Sequence, residues 1–584
     1  MPPKRTSSTP SKRPSKRIRG NGGGIGAFDP LLDGGSSSET SRLVQAAALA
    51  ERAGGGAGYF AVRAPAQHVS SLKETSLQVA ARGLYESIRL PPKDANGGGE
   101  KRWAGWDTER DPAKAEEAKQ LKAYFEVLPA EVTNRLLRLV LDHATSGMDE
   151  ANDPGVAVLS VAALFFHPNT TRLSLAALTA PTVLIARLPQ CTALVDLDLS
   201  FHTSLQDKTL AKVLAQLPSL EQINLKGCTK TGDVSLVALS KATEDRLKVA
   251  NLSLTAASVK GLTSLLARCK NLEVLKLASV ANLNEKNVTK LINDATDAAL
   301  GWRHIPLSRL RTLKLRSTDI TDASIGRLLT LCGLSLTHLD ISFTALKSLD
   351  FVSSALHALP EWKLEKLVAS GLPLSPVTLE GFFRPLSERP EDERRRFKTL
   401  KLGSIPASST KAPGLTDAVL ARIMPYLETL DGLESVSFFQ NWHLGRLEQP
   451  LSRFIEVIGR RCTHLDLTLP VESHHLESLL PPISSEEDSS ATAETEPYEP
   501  PRIRSLVLDS SRITDTAAGP ISACRDLRAL HVAETRISTK FLATVLSSCP
   551  HLSALNLTSC RGVPVTQRRN FFEAWDKGEV AVTP

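Results

Sequence analysis

One spacing of apolar residues, Leu-x-x-Leu-x-Leu, recurs through most of this 584-residue chain and limits what it can fold into. The last copy is Leu552, Leu555, Leu557. Earlier copies begin at Leu194, Leu220, Val249, Leu272, Leu310, Leu336, Leu364, Phe397, Leu433, Cys462, Ile503 and Leu527, with a weaker one at Thr170. Intervals of 23 to 29 residues recur between them. Self-similarity at such a period belongs to chains that stack one small unit on the next.

The physics of one unit follows from the spacing. Alternate side chains of a short strand face opposite ways, so the last two apolar positions of each copy point into a core and their neighbours point out. The remainder of each unit has helical spacing, as in Val234, Leu236, Val237 and Leu239 after Thr231-Gly232-Asp233. Ile320-Thr321-Asp322, Leu415-Thr416-Asp417 and Ile513-Thr514-Asp515 stand at the same place in their units. A Thr or Asp there is expected to accept a hydrogen bond from a free amide at the helix start. One strand and one helix cannot bury both apolar faces alone, and stacking supplies the missing neighbour.

These copies resemble leucine-rich repeats, and among them the ribonuclease-inhibitor-like, cysteine-containing subtype. That subtype reads LxxLxLxxC, then Ile-Thr-Asp, then an amphipathic helix and a Cys before the next strand. The resemblance covers about residues 165 to 565. It implies an α/β solenoid, a horseshoe with parallel strands on the concave face and helices outside. Its eight cysteines fit repeat slots: Cys228 and Cys560 follow a strand, and Cys191, Cys269, Cys332, Cys462, Cys524 and Cys549 lie between helix and strand. Buried free thiols are expected, with no metal and no cofactor.

The formal charge of +7 is concentrated at one end. Residues 1 to 20 hold seven Lys or Arg and no acid, so the rest of the chain balances at 63 of each sign. The basic pI therefore describes the tail and does not make the body a nucleic-acid binder. Lys4-Arg5, a ten-residue spacer and Lys16-Arg17-Ile18-Arg19 resemble a bipartite nuclear localisation signal. The resemblance implies importin binding through Lys4, Arg5, Lys16, Arg17 and Arg19, and a nuclear location, with the cytoplasm as the second compartment. The opening residues lack the apolar core of a secretory signal, and the longest apolar run, near 156 to 166, is too short to span a bilayer.

Four segments are expected. Residues 1–70 form a disordered basic tail, since Pro, Ser, Lys and Gly bury too little to offset chain entropy. Residues 71–157 form a helical block that either caps the first repeat or docks an adaptor. Residues 158–565 form the solenoid, broken by an acidic loop at 482–501 in which Ser484 and Ser485 precede acids as in acidophilic kinase sites. Residues 566–584 close the end. In the helical block, Ser71-Leu72, Ser76 and Ala80 resemble a relaxed elongin-C-binding box, although that box prefers Cys where this chain has Ser76. Leu128-Pro129-Ala130-Glu131-Val132 resembles the opening of an F-box, without the Trp-containing later half. These resemblances imply docking of an elongin-C or Skp-type adaptor through Leu72, Ser76, Leu77, Leu128 and Pro129. The order of box, Leu-Pro-x-Glu helix and repeats is that of several substrate receptors of cullin ligases.

No catalytic arrangement is found. His338 and Asp340 recur as His464 and Asp466, so this pair is a copied repeat position and not a dyad. The chain lacks a P-loop, a nucleophile elbow and an HExxH motif. No enzyme activity is expected. The outward strand positions are more informative. Asp196, Asp198, Gln222, Asn224, Asn251 and Ser253 come first, followed by Lys276, Lys314, Arg316, Lys366 and Lys401 on neighbouring strands. Such a stripe suits an acidic peptide, a phosphorylated segment or nucleic acid. Protein recognition on the concave face is the favoured function, as the substrate receptor of a nuclear cullin-type ubiquitin ligase. A chromatin or DNA-repair scaffold, or a plain structural repeat protein, is the alternative.

Overall fold

The computed structural model describes residues 60–62, 72–88, 112–146, 158–176, 182–300, 306–332, 334–406, 414–481, 499–568 and 572. Its centre is one open sheet of fifteen three-residue strands. Strands β2 (Arg172–Ser174), β3 (Asp196–Asp198), β4 (Gln222–Asn224), β5 (Val249–Asn251), β6 (Val274–Lys276), β7 (Thr312–Lys314) and β8 (His338–Asp340) run parallel in chain order. They continue through β9 (Lys366–Val368), β10 (Thr399–Lys401), β11 (Ser435–Ser437), β12 (His464–Asp466), β13 (Ser505–Val507), β14 (Ala529–His531) and β15 (Ala554–Asn556). Helical segments return the chain behind the sheet between strands. The chain is an α/β leucine-rich-repeat solenoid.

The central residue of every parallel strand is buried, from Leu173 through Leu313 and Leu400 to Leu555. One unit departs from the spacing found in the sequence. Ile223 of β4 pairs with Ala250, not with Leu252. The apolar triplet of this unit is therefore Leu247, Ala250 and Leu252, each fully buried, and not Val249, Leu252 and Leu254. Leu254 lies beyond the strand with φ of 57°. A shift of two residues keeps the same faces inward, so Asn251 still points to the concave side of the sheet.

The Asp residues at the helix starts do something other than cap their own helices. Asp207 accepts amides from Gly232, Val234 and Ser235, one repeat further on. Asp233 accepts from Ser258 and Gly261, and Asp322 from Lys347 and Ser348. Asp417, 3% exposed, accepts from Gly445 at 2.8 Å, Arg446 at 2.9 Å and Leu447 at 3.0 Å. The preceding Thr416 performs the local cap, accepting from the Val419 amide. The carboxylates thus stitch one repeat to the next by accepting amides at the start of the following helical segment.

A second device repeats beside the sheet. Four residues after the central residue of most strands the backbone turns left-handed, at Phe201, Leu254, Ser279, Ser317, Phe343, Ser404, Gln440, Ser510, Glu534 and Ser559, and at Gly227 and Gly371. For a non-glycine residue this conformation costs about 1–2 kcal/mol. It is held by the ladder, since in every one of these repeats but the last, that of Ser559, this amide donates across the stack: Phe201 to Lys226 O, Phe343 to Ser370 O, Glu534 to Thr558 O. Several third strand residues help, as Asp198, Asn224, Asp340 and Asn556 accept from the amide two residues on.

Both ends of the sheet are covered. Helix α1 (Leu72–Ile88) packs on α3 (Ala130–Ser146), with α2 (Pro112–Val127) and α4 (Val158–Phe165) beside them. Asn134 of α3 treats the free edge of β2 as a neighbouring strand would: its Nδ2 donates to Arg172 O and its Oδ1 accepts from Ser174 N. At the other edge β1 (Phe60–Val62) pairs antiparallel with β15. Unpaired strand edges invite association, and both are closed here by the N-terminal segment. All eight cysteines are buried free thiols. Burial pushes Cys228, Cys332 and Cys524 up to about 12, and Cys228 Sγ donates to Leu199 O in the preceding repeat.

Asp417 offers the sharpest test of the stitching. Asp417→Ala should lower the unfolding free energy by about 1–3 kcal/mol, because the buried Gly445 amide and the part-buried amides of Arg446 and Leu447 lose their acceptor. Asp417→Asn, which keeps an acceptor oxygen, should lose clearly less. Urea denaturation of the two variants checks the order, and equal losses would refute it.

Candidate functional site

The five basic residues of the concave stripe line one cavity of about 530 Å³, formed on β6 to β11 and the turns that follow them. The ladder explains how they meet. Lys276 pairs in register with Lys314. Lys366 pairs with Thr399, beside Lys401. Side chains at the first and third positions of each strand share the concave face. Five cations therefore converge, against Asp340 within the patch and Asp466 at its far edge. None of the four lysines makes an ion pair within 4 Å among the described residues.

The crowding has electrostatic consequences. Burial, then the neighbouring charges of Lys314 and Lys226, hold Lys276 below the usual lysine range. Burial, then Lys401 and Lys314, do the same to Lys366, with Asp340 opposing them. His338 is lowered chiefly by burial, and its Nδ1 bonds Thr337 Oγ1 at 2.7 Å. The pair His338 and Asp340 faces the cavity beside the lysines, and Asp340 accepts from the Ser342 amide.

The wall of the cavity contains residues that strand spacing did not point to. Phe343 and Phe439 line it, with Ser342, Ser370 and Ser437. The Arg316 guanidinium stacks 4.9 Å from the centre of the Phe343 ring, a cation–π contact. Both rings lie where a side chain on the next or previous repeat would be. A Cβ on Gly371 would meet the Phe343 ring at 2.3 Å, and one on Gly403 would meet the Phe439 ring at 2.0 Å. The sequence signal is thus a glycine one repeat away from an aromatic residue. Ser342 and Ser370 are buried, and their Oγ atoms accept the amides of Ser370 and Gly403.

From β3 onward the charge along the concave face changes sign twice. Asp196 and Asp198 lie on β3, and burial raises the Asp196 carboxyl, with Arg172 opposing. Strands β4 and β5 carry Gln222, Asn224 and Asn251. Beyond the lysines, β11 presents Ser435 and Ser437, and acids return at Asp466, Asp509 and Glu534. Asp466 accepts from Ser437 Oγ at 2.7 Å. Burial pushes Asp509 up to about 6 although the Ala533 amide donates to it.

The other sequence-derived sites are distributed differently. On α1, Ser76, Val79 and Ala80 are exposed, while Leu77 packs against the core with Ala81, Leu84 and Tyr85. Leu128 also packs against the core, and Pro129 is exposed, its carbonyl accepting the Val132 and Thr133 amides. Leu77 and Leu128, expected among the docking residues, thus contribute to the core through the opposite helix face. The Leu72 side chain lies outside the described residues, as do Lys4, Arg5, Lys16, Arg17 and Arg19, and Ser484 and Ser485. No described helix is long and apolar enough to cross a membrane.

The sequence matches no protein-family model and no curated protein. Among solved structures it is similar to the Rad7–Elc1 complex of yeast, at 16% identity and a TM-score of 0.43 over 85% of this chain and 96% of that one. It is also similar to an internalin, inlF, of Listeria monocytogenes (12% identity, TM-score 0.30, covering 76% and 91%). A third is TLR13 in complex with ssRNA13 (16%, TM-score 0.31, covering 72% and 55%). These are likenesses of fold alone.

Asp509 gives the site a measurable pH signature. Its folded value near 6 exceeds the ordinary carboxylate value near 4. The folded state therefore holds its proton more tightly, and the associated stability is present below pH ~4 and lost as pH rises through ~6. Relative to Asp509→Asn, the wild-type chain should lose stability between pH 4 and 6. Parallel denaturation curves across that window check it.

Proposed function

We propose that this chain recognises a partner protein on its concave face and serves as a substrate-receptor subunit of a nuclear cullin-type ubiquitin ligase. The recognition half of the reading is carried by one observation: five cations gathered in a single cavity without ion-pair partners for the lysines among the described residues. A fold does not gain from holding like charges together in a half-buried cleft, whereas an acidic partner segment does.

The adaptor half rests on α1. The face of α1 that includes Ser76, Val79 and Ala80 is open, while the face with Leu77, Ala81 and Leu84 holds the helix on the solenoid cap. Val79 is 68% exposed. A helix fixed by one face and open on the other is suited to carrying an adaptor of the elongin-C type. The Leu-Pro-Ala-Glu turn at 128–131 spends its leucine on the core, which favours the elongin-type over the Skp-type adaptor. Import by importin through the basic tail would give the complex its compartment. A chromatin or repair scaffold with the same groove is the second reading, favoured by the same basic tail.

Two experiments test these assignments. Leu72→Asp and Ser76→Arg should each abolish capture of an elongin-C-type adaptor while leaving the thermal midpoint unchanged. A collapsed midpoint for both variants, or retained capture, would leave the helical block as a cap only. Changing Lys16, Arg17 and Arg19 to Ala should move a fluorescent fusion of the full chain out of the nucleus, and a fusion that stays nuclear would remove the tail from import.

A further inference from the structure

We propose that the basic part of the cavity, over β6 to β10, is a binding site for a phosphorylated side chain within a short extended segment of the partner. This rests on the reading of the concave face as a protein-binding groove, and it names the chemistry of the bound group.

The first argument is the balance of donors and acceptors. Lys276, Lys314, Arg316, Lys366 and Lys401 are donor-only groups. Ser342 and Ser370 add to them. Each Oγ already accepts a backbone amide, so each hydroxyl has its own proton to give. Two acids lie within reach, Asp340, which accepts from the Ser342 amide, and Asp466, which accepts from Ser437 and Thr468, and their two charges leave the five cations in excess. A carboxylate brings one charge and two oxygens. A phosphate monoester brings close to two charges and three acceptor oxygens, which matches several lysines and two hydroxyls far better.

The second argument is extent. Four interstrand steps separate β6 from β10, a width of about 19 Å. An extended peptide covers that with about six residues. Beyond this width Lys226, whose ammonium lies over the Phe201 ring, precedes Asp196 and Asp198 at one end, and Asp466, Asp509 and Glu534 stand at the other. A nucleic-acid strand carries a phosphate with every nucleotide, and one laid along the groove would run onto like charge at either end. A peptide with a single phosphorylated position and basic or neutral flanks meets no such repulsion. The aromatic wall of Phe343 and Phe439 offers apolar surface to the residues beside it.

The test uses the full chain and fluorescence anisotropy with degenerate peptides that fix a central phosphoserine, phosphothreonine or phosphotyrosine. Companion peptides carry the unmodified residue or Glu at that position, and a single-stranded DNA oligonucleotide is titrated in parallel. At least one phosphorylated library should bind about ten-fold or more tighter than its Glu and unmodified counterparts, the worth of one charge-assisted hydrogen bond. Lys314→Ala and Lys366→Ala should each remove that preference. Lys270→Ala, whose lysine pairs with Asp245 away from the cavity, should keep it. The double variant Lys314→Glu, Arg316→Glu should lose phosphopeptide binding with an unchanged denaturation midpoint, since neither side chain is buried. Equal binding of Glu and phosphorylated peptides, both lost in the lysine variants, would overturn the phosphate assignment and keep the groove. Binding of no peptide, or binding indifferent to the lysine variants, would overturn both. Tighter, lysine-dependent binding of the oligonucleotide would also overturn both and make the groove a nucleic-acid site.

Discussion

A three-residue strand has too few backbone groups to stand alone, and every repeat of this chain relies on the next to satisfy them. The ladder bonds are supplied by the neighbouring strand, and the amides past the strand by the neighbouring turn. Asp207, Asp233, Asp322 and Asp417 extend the same dependence to the helical side, each reaching into the following repeat. Buried backbone donors are costly when unpaired, so stacking is a requirement of each unit as much as a source of stability. The two ends, which have a neighbour on one side only, need substitutes. Asn134 mimics a peptide group at the β2 edge, and β1 adds an antiparallel strand at the β15 edge.

The same ladder builds the groove. It fixes adjacent strands in register, so side chains one repeat apart become direct neighbours. Lys276 and Lys314 are 38 residues apart in sequence and paired in the sheet. Like charges placed this way repel, and burial adds to the penalty, as the lowered lysines show. Other basic residues of the solenoid are treated differently. Lys248 pairs with Glu221, Arg268 with Glu244, Lys398 with Glu434 and Arg453 with Glu428, each across a repeat boundary. Those four pairs neutralise charge between repeats, whereas the lysines of the concave cavity lie beside one another.

Parts of this were legible from the chain alone. The Leu-x-x-Leu-x-Leu spacing located the strand of nearly every unit, because apolar side chains two residues apart have a single interpretation in a short strand. It misplaced one unit, where Ala250 fills the central slot and the leucines two residues on imitated it. The five basic residues were recognisable because outward positions follow from the same alternation. Phe343, Phe439 and the two serines were not, since their turn positions recur with the repeat but are filled by residues of no common type. Their only traces are Gly371 and Gly403, which leave space for rings contributed by other repeats.

The sequence by itself therefore determined the unit, its inner and outer faces, the slots of the buried thiols and the sign of charge on each strand. Those are consequences of side-chain alternation and polarity, which act within a single repeat. Only the tertiary structure decided which carboxylate serves which repeat, why Phe343 sits left-handed above Gly371, and how five cations separated by more than a hundred residues come to line one cavity. These depend on the register and curvature of stacked repeats, and stacking joins groups whose separation in the chain carries no local signal.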